Sequence, residues 1–220
     1  MNKELIVMLT WHDVTVDNAL EIFIEAKDAP SKHWGFKIEG TTPQSMKELV
    51  KCMKKNDKTV YIEVLAIDEE TCVSAAKQCA ECGVDHLLGT VYYDSVAKIV
   101  GEAGILYSPF VGLSDDSRLR GSIESVVGTA KDAEEKGVSG VSLSAFRYVD
   151  GDPKELLLNI NKNLKKPLYI AGSVDGYEKI DFLKGLEKLS GFTIGGALFE
   201  KKFGSTFSEQ ITVISDYLKN

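Results

Sequence analysis

The groups best suited to hold an anion lie in the last third of the chain. There, Pro167-Leu168-Tyr169-Ile170-Ala171-Gly172-Ser173-Val174-Asp175 and Phe192-Thr193-Ile194-Gly195-Gly196-Ala197-Leu198-Phe199 each put glycine directly after a β-rich apolar run. Glycine at that point lets backbone N–H groups approach an anion closely, and a short helix starting near Gly196 would aim its positive end at the same place. A tight strand-to-helix turn can use glycine for its conformation alone. Two consecutive units of this kind favour a phosphate site formed by Gly172, Ser173, Gly195 and Gly196.

A second set of reactive groups sits inside apolar runs, in Trp34-Gly35-Phe36-Lys37-Ile38-Glu39 and Tyr61-Ile62-Glu63-Val64. The period of two in a strand places Lys37 and Glu39 on one face. If that face lines a barrel, Lys37, Glu39 and Glu63 converge, and burial with mutual pairing tunes one of them for proton transfer near neutral pH. The same trio can be a structural ion network, or Glu39 can simply end its strand before Gly40. Charges in buried strands are costly without partners, which favours function.

Two further segments carry polar groups at strand ends. In Thr10-Trp11-His12-Asp13, His12 can serve as an acid or base near pH 7, and Asp13 as a catalytic carboxylate or a helix cap. In Ser142-Leu143-Ser144-Ala145-Phe146-Arg147-Tyr148, Ser144 and Arg147 are placed to contact a substrate, the guanidinium fork suiting phosphate or carboxylate. Arg147 can equally pair with Asp150 or Asp152, and Asp152-Pro153 reads as a helix start. His33 and His86 read as structural, and no metal-ligand spacing links the histidines.

These groups need a scaffold that brings strand ends together, and the chain alternates short β-rich runs with segments of helical period throughout. The expected strands are Leu5–Thr10, Trp34–Glu39, Thr59–Leu65, Asp85–Leu88, Ile105–Ser108, Gly140–Leu143, Pro167–Ala171 and Phe192–Gly195. Between them run stripes such as Val16, Ala19, Leu20 and Phe23, or Ile123, Val126, Val127, Ala130 and Ala133. Gly83, Gly104 and Gly137 each close a helical segment before a strand. About eight such units with no linker indicate one domain over residues 1–220, an α/β TIM (β/α)8 barrel, with a doubly wound open sheet as the alternative. No Gly-x-Gly-x-x-Gly opens a helix after the first strand, which weakens that alternative.

On Ile170-Ala171-Gly172-Ser173 and Ile194-Gly195-Gly196-Ala197-Leu198-Phe199, the sequence resembles the ribulose-phosphate-binding barrels, above all the histidine-biosynthesis isomerase and cyclase pair (HisA/HisF-like). The resemblance is specific over residues 165–204 and architectural upstream. It implies a phosphorylated metabolite at the glycine turns and an acidic residue at the end of the first strand, a place Asp13 can fill. Those isomerases also carry an acidic residue at the end of the fifth strand, where Ile105-Leu106-Tyr107-Ser108-Pro109-Phe110 has none, so their reaction is not implied. The phosphosugar decarboxylases of the same superfamily keep Asp-x-Lys-x-x-Asp on the third strand, whereas here the lysine is on the second and the third contributes Glu63.

Composition narrows the partners. A net charge of −7 with pI near 5.1 argues against nucleic acid. The apolar run near Met1 is too short for a secretory core, and none reaches the roughly 20 residues of a membrane span, so a cytoplasmic location and no membrane partner are expected. Cys72, Cys79 and Cys82 share a helical stripe with Ala75 and Ala76, so packing explains them better than redox or zinc chemistry. No cofactor or metal is expected, and a homo-oligomer is allowed without any patch to single one out. The expected activity is isomerisation or epimerisation of a small phosphosugar, with Glu39 or Glu63 as base and Lys37 stabilising enediolate-like charge. An aldolase or decarboxylase, and a non-catalytic phosphate-binding barrel, are the alternatives.

Overall fold

The structure, a computed structural model, describes residues 3–219. Eight parallel strands, β1 (Glu4–Met8), β2 (His33–Lys37), β3 (Thr59–Val64), β4 (His86–Gly89), β5 (Leu106–Ser108), β6 (Val141–Leu143), β7 (Leu168–Ile170) and β8 (Leu189–Ile194), form one sheet. Its order is β5-β4-β3-β2-β1-β8-β7-β6. The edges meet through a parallel bridge between Phe110 and Ser142, where the Ser142 N–H donates to Pro109 O at 2.9 Å and the Val111 N–H to Ser142 O at 3.2 Å. The sheet therefore closes in sequence order as a TIM (β/α)8 barrel, and the open-sheet alternative does not apply.

The outer ring contains α1 (Ala19–Ala26), α2 (Pro43–Lys55), α3 (Glu69–Cys82), α4 (Asp94–Glu102), α5 (Ile123–Glu135), α6 (Pro153–Asn163), α7 (Tyr177–Lys184), the single turn α8 (Gly196–Phe199) and α9 (Phe207–Lys219). Local chemistry sets their ends. Asp152 accepts from the N–H groups of Lys154 and Glu155 with Pro153 in the first turn, as its sequence indicated. Thr42 and Ser45 form a capping box on α2. Gly83, Gly104 and Gly137 all take positive φ at helix-to-strand turns.

Alternation along the strands divides the core. Val7, Phe36, Ile62, Leu87 and Phe192 point outward to the helices, with Phe23 edge-on to Trp34 at 5.1 Å. Each large side chain buried there contributes roughly 1.5–3 kcal/mol. Ile6, Met8, Tyr61, Leu88 and Tyr169 point inward and fill the barrel. Cys72 and Cys79 face the helix-side core, and burial pushes the Cys79 thiol up to about 12. Among the described residues, no helix is long and apolar enough to cross a membrane.

Two departures from the sequence expectation have one cause. Instead of running to Thr10, β1 stops at Met8, and the chain folds into a ribbon of Thr10–Trp11 against Val14–Thr15. The tip residues His12 and Asp13 both take left-handed φ, 51° and 63°, as a two-residue hairpin turn requires. The ribbon then occupies the end of β2. Thr15 Oγ1 donates to Lys37 O at 2.7 Å and accepts from the Lys37 N–H at 2.9 Å, while the Thr15 N–H donates to Glu39 O at 2.8 Å. Gly40, at φ 85°, passes so close that a Cβ would lie 2.3 Å from Thr15 O. The strand therefore ends at Lys37, and Glu39 turns out to solvent rather than into the barrel.

Candidate functional site

Lys37 and Glu63 are direct neighbours in the β2–β3 register, and both side chains point inward at the carboxyl ends of the strands. Lys37 is 3% exposed and Glu63 5%. The Lys37 ammonium lies 3.2 Å from Glu63 Oε1 and 2.8 Å from Asp13 Oδ1, the latter delivered by the hairpin tip. Burial alone would lower the Lys37 pKa, but the Glu63 and Asp13 carboxylates outweigh it and raise it, so Lys37 is an ammonium at neutral pH.

Asp13 has a second cation. The single 3₁₀ turn after β6, Ala145–Arg147, brings Arg147 over the mouth, where its two terminal nitrogens meet Asp13 Oδ2 at 3.0 Å and Oδ1 at 2.9 Å. Burial works to raise the Asp13 pKa, yet the bonds from Arg147 and Lys37 hold it down at about 2. The sequence alternatives for Arg147 are not realised, since Asp150 accepts from the Gly121 N–H and Asp152 caps α6. Nor does Asp13 cap a helix, because α1 starts after Asn18.

The glycine turns close the other side. Gly172 and Ser173 both have positive φ, 75° and 60°, and the Gly172 N–H donates to Thr193 Oγ1 at 2.9 Å, tying the turn after β7 to β8. A Cβ on Gly172 would sit 3.5 Å from the Arg147 guanidinium, so that cation lies against the turn. A Cβ on Gly195 would lie 2.7 Å from Thr10 O, whereas Gly196 faces open space with only Trp11 near, at 3.9 Å. In the turn from Gly196 no side chain caps the first N–H groups, and the Leu198 N–H donates to Gly195 O at 2.8 Å.

These elements enclose a cleft of about 330 Å³. Lys37, Glu63, Asp13, His12, Arg147, Gly172, Ser173, Gly195 and Gly196 line it. Ser144 does not; it is buried behind, and its carbonyl accepts from the Arg147 N–H at 2.8 Å. Glu39 lies apart, beside Glu70 and Ser74 of α3. His33 lies at the opposite, amino-terminal end of the strands beside Glu4, and His86 is buried in the barrel, where it touches Tyr61 and Tyr169 and is held down to about 3 by burial.

Sequence reading did not single out Thr193 and Trp11 as cleft residues. Thr193 was accessible to it, because Gly191, Thr193 and Gly195 share the inward face by alternation. Trp11 carried no such signal, since only the hairpin turns it toward the mouth. Among the described residues, no group of His, Cys, Asp and Glu is arranged to hold a metal ion. The cleft thus presents the cations Lys37 and Arg147, the carboxylates Asp13, Glu63, Asp175 and Glu200, and two glycine turns facing one small volume. Such a set can bind an oxyanion and move a proton beside it.

No family model matches the sequence, and no curated protein matches it. Solved structures do resemble the fold. Orotidine 5'-monophosphate decarboxylase from Methanocaldococcus jannaschii, complexed with the inhibitor BMP, aligns over 100% of both chains with a TM-score of 0.72 at 16% identity. The 3-hexulose-6-phosphate synthase from Salmonella typhimurium aligns over 98% of each chain with a TM-score of 0.72 at 14% identity. Thiamine phosphate pyrophosphorylase from Pyrococcus furiosus aligns over 100% of this chain and 98% of its own, with a TM-score of 0.64 at 15% identity. At these identities the likeness is one of fold.

Proposed function

We propose that the protein is an enzyme of the ribulose-phosphate-binding barrel type that moves a proton at a carbon next to a carbonyl in a small phosphorylated metabolite. The observation that carries this reading is the Lys37 ammonium fixed between Asp13 and Glu63 on the side of the cleft facing the glycine turns. Gly172, Ser173, Gly195 and Gly196, with Arg147 against them, receive the phosphate. Glu63 removes the proton, and Lys37 stabilises the enolate oxygen and returns a proton to the product. Isomerisation or epimerisation follows directly. Asp13 positions both cations, and His12, at the cleft rim, is the second group able to shuttle a proton. The similar decarboxylase and synthase are both named for phosphorylated compounds, which supports the phosphate reading.

A carbon–carbon lyase would use the same groups, with Lys37 protonating the carbanion left by bond cleavage, and a decarboxylase and a hexulose-phosphate synthase are among the similar folds. An imine mechanism is the less suited version. It needs a neutral lysine, and the paired carboxylates hold Lys37 charged.

The test has two stages. Phosphorylated sugars and their dephosphorylated counterparts are screened by thermal shift, and the hits are then incubated in deuterium oxide and followed by proton NMR. Stabilisation by phosphates alone, with exchange of one carbon-bound proton that Glu63→Gln abolishes, is expected. Phosphate binding without exchange or turnover would make the protein a non-catalytic binder. Indifference to phosphate would remove the reading altogether.

A further inference from the structure

Trp11 and His12, which wall the cleft, also wall a second hollow of about 750 Å³ on the outer side of the ribbon. The turn α8 spans both, with Gly196 and Ala197 on the cleft and Leu198 and Phe199 on the hollow. The hollow is built largely from apolar groups. The Trp11 indole lies nearly parallel to Phe199, 5.9 Å between centroids and 11° between planes, and Phe199 meets Phe207 edge-on at 4.9 Å. Trp11 remains 42% exposed and Val14 44%, although both flank a hairpin tip where polar residues would serve solubility equally well.

We propose that this hollow is a subsite for an aromatic, ring-bearing substituent on the outer side of the bound phosphate. The substrate is then a phosphodiester or diphosphate whose reacting part enters the barrel and whose ring rests on Trp11. The inference rests on the reading of the cleft as a phosphate site. Adjacency selects this occupant. A group esterified to a phosphate held at the glycine turns has Trp11 as its next neighbour beyond Gly196, where a Cβ would lie 3.9 Å from the indole, and Trp11 and His12 line the hollow as well as the cleft. Trp11 stacks on His12 at 4.5 Å and on Phe199 at 5.9 Å yet stays exposed, so a planar ring can join this aromatic cluster, where ring contacts add to the burial of apolar area. The charged residues Asp17, Glu25 and Lys201 also line it, leaving room for polar edges on that ring.

The experiment is titration calorimetry with inorganic phosphate, glycerol 1-phosphate and the phenyl diester of glycerol 1-phosphate. It is run on the wild type and on Val14→Ser and Phe207→Ser, which line the hollow and not the cleft. Val14 is exposed, so its variant folds even if Phe207→Ser does not. The phenyl diester is expected to bind roughly tenfold more tightly than glycerol 1-phosphate, with the gain reduced in both variants and the affinity for inorganic phosphate unchanged. Equal affinities in the wild type, or a gain that survives both substitutions, would overturn the subsite while leaving the cleft reading intact. A wild type that binds no inorganic phosphate would overturn both. Sedimentation of the same proteins addresses the rival occupant: a wild-type dimer that Val14→Ser dissociates would assign the hollow to a second copy of the chain and overturn the proposal.

Discussion

Arg147 grips Asp13 with both terminal nitrogens, at 3.0 and 2.9 Å, across a sequence separation of 134 residues. That bond fastens the hairpin after β1 to the turn after β6 and so closes the cleft from above. It also leaves the guanidinium partly neutralised beside the turn that is to receive an anion. Removing the carboxylate therefore releases a cation toward the ligand. Asp13→Asn is expected to bind inorganic phosphate more tightly than the wild type, by severalfold, and Arg147→Ala to bind it at least tenfold more weakly. Calorimetry at fixed low salt measures both, and phosphate affinity unaltered by Arg147→Ala would remove Arg147 from the anion site.

The same pair gives an acid limb to stability. A carboxylate whose folded pKa is depressed, here from 3.8 to about 2, contributes stability that is complete above its unfolded value and is lost as pH falls through the folded one. The window is therefore about pH 4 to 2. Because Asp13 is half-exposed, solvent screening leaves ~1 kcal/mol of this contribution. Urea denaturation of the wild type and Asp13→Asn at pH 7 and pH 2.5 is expected to show the difference between them shrinking at the lower pH. A constant difference would mean that the ion pairs are not formed in solution.

Lys37 is the cation that offsets the cost of burying Glu63, and it is itself held by Glu63 and Asp13. Lys37→Met removes the charge that faces Glu63 and is expected to cost about 3 kcal/mol, because it strands a carboxylate at 5% exposure. Lys37→Met combined with Glu63→Leu is expected to recover most of that loss while remaining without turnover. Chemical denaturation of Lys37→Met, Glu63→Leu and the double variant measures the coupling. Additive effects would show that the two side chains do not interact in the folded protein.

A contrast between hydroxyls tests the barrel interior. His86 Nε2 pairs with Ser108 Oγ at 2.8 Å, whereas Ser142 Oγ is buried with no hydrogen-bond partner among the described residues. Ser108→Ala is expected to cost about 1–2 kcal/mol and Ser142→Ala nothing, or to stabilise slightly. His86 also sets a pH trend. Its folded pKa, lowered by burial from 6.5 to about 3, means that the unfolded chain binds the extra proton first, so stability is complete above pH 6.5 and declines as pH falls toward 3. His33, lowered chiefly by burial, adds in the same direction. His86→Gln is expected to flatten that decline, and an unchanged slope would place the imidazole in contact with water.

The sequence made the barrel legible because its signals are local. Each strand is a short apolar run, and Gly83, Gly104 and Gly137 mark the helix ends by conformation alone. Lys37 and Glu63 were legible as charges that burial forces into partnership. Glu39 was misplaced because period two holds only while the strand lasts, and what ends β2 is Thr15, a residue more than 20 positions earlier whose hydroxyl occupies the strand's last hydrogen bonds. The partner of Arg147 was out of reach for the same reason. Asp150 and Asp152 are near in sequence, but the closed barrel brings Asp13 nearer in space.

Adjacent glycines at the end of β8 separate folding from binding. At Gly195 a Cβ would meet Thr10 O at 2.7 Å and Thr10 Oγ1 at 2.8 Å, so either the hairpin or β8 must shift to accept one. At Gly196 a Cβ meets nothing closer than Trp11 Cδ1 at 3.9 Å. Gly195→Ala is therefore expected to lower stability by about 2 kcal/mol as an overpacked contact against backbone. Gly196→Ala is expected to fold normally. Gly196→Asp is expected to fold as well, because its carboxylate projects into the open cleft, and to abolish phosphate-dependent thermal stabilisation by occupying the anion's place with like charge. Melting curves with and without phosphate for all three variants decide the matter. Full phosphate stabilisation of Gly196→Asp would mean that the anion, if it binds, does so elsewhere than between the two glycine turns.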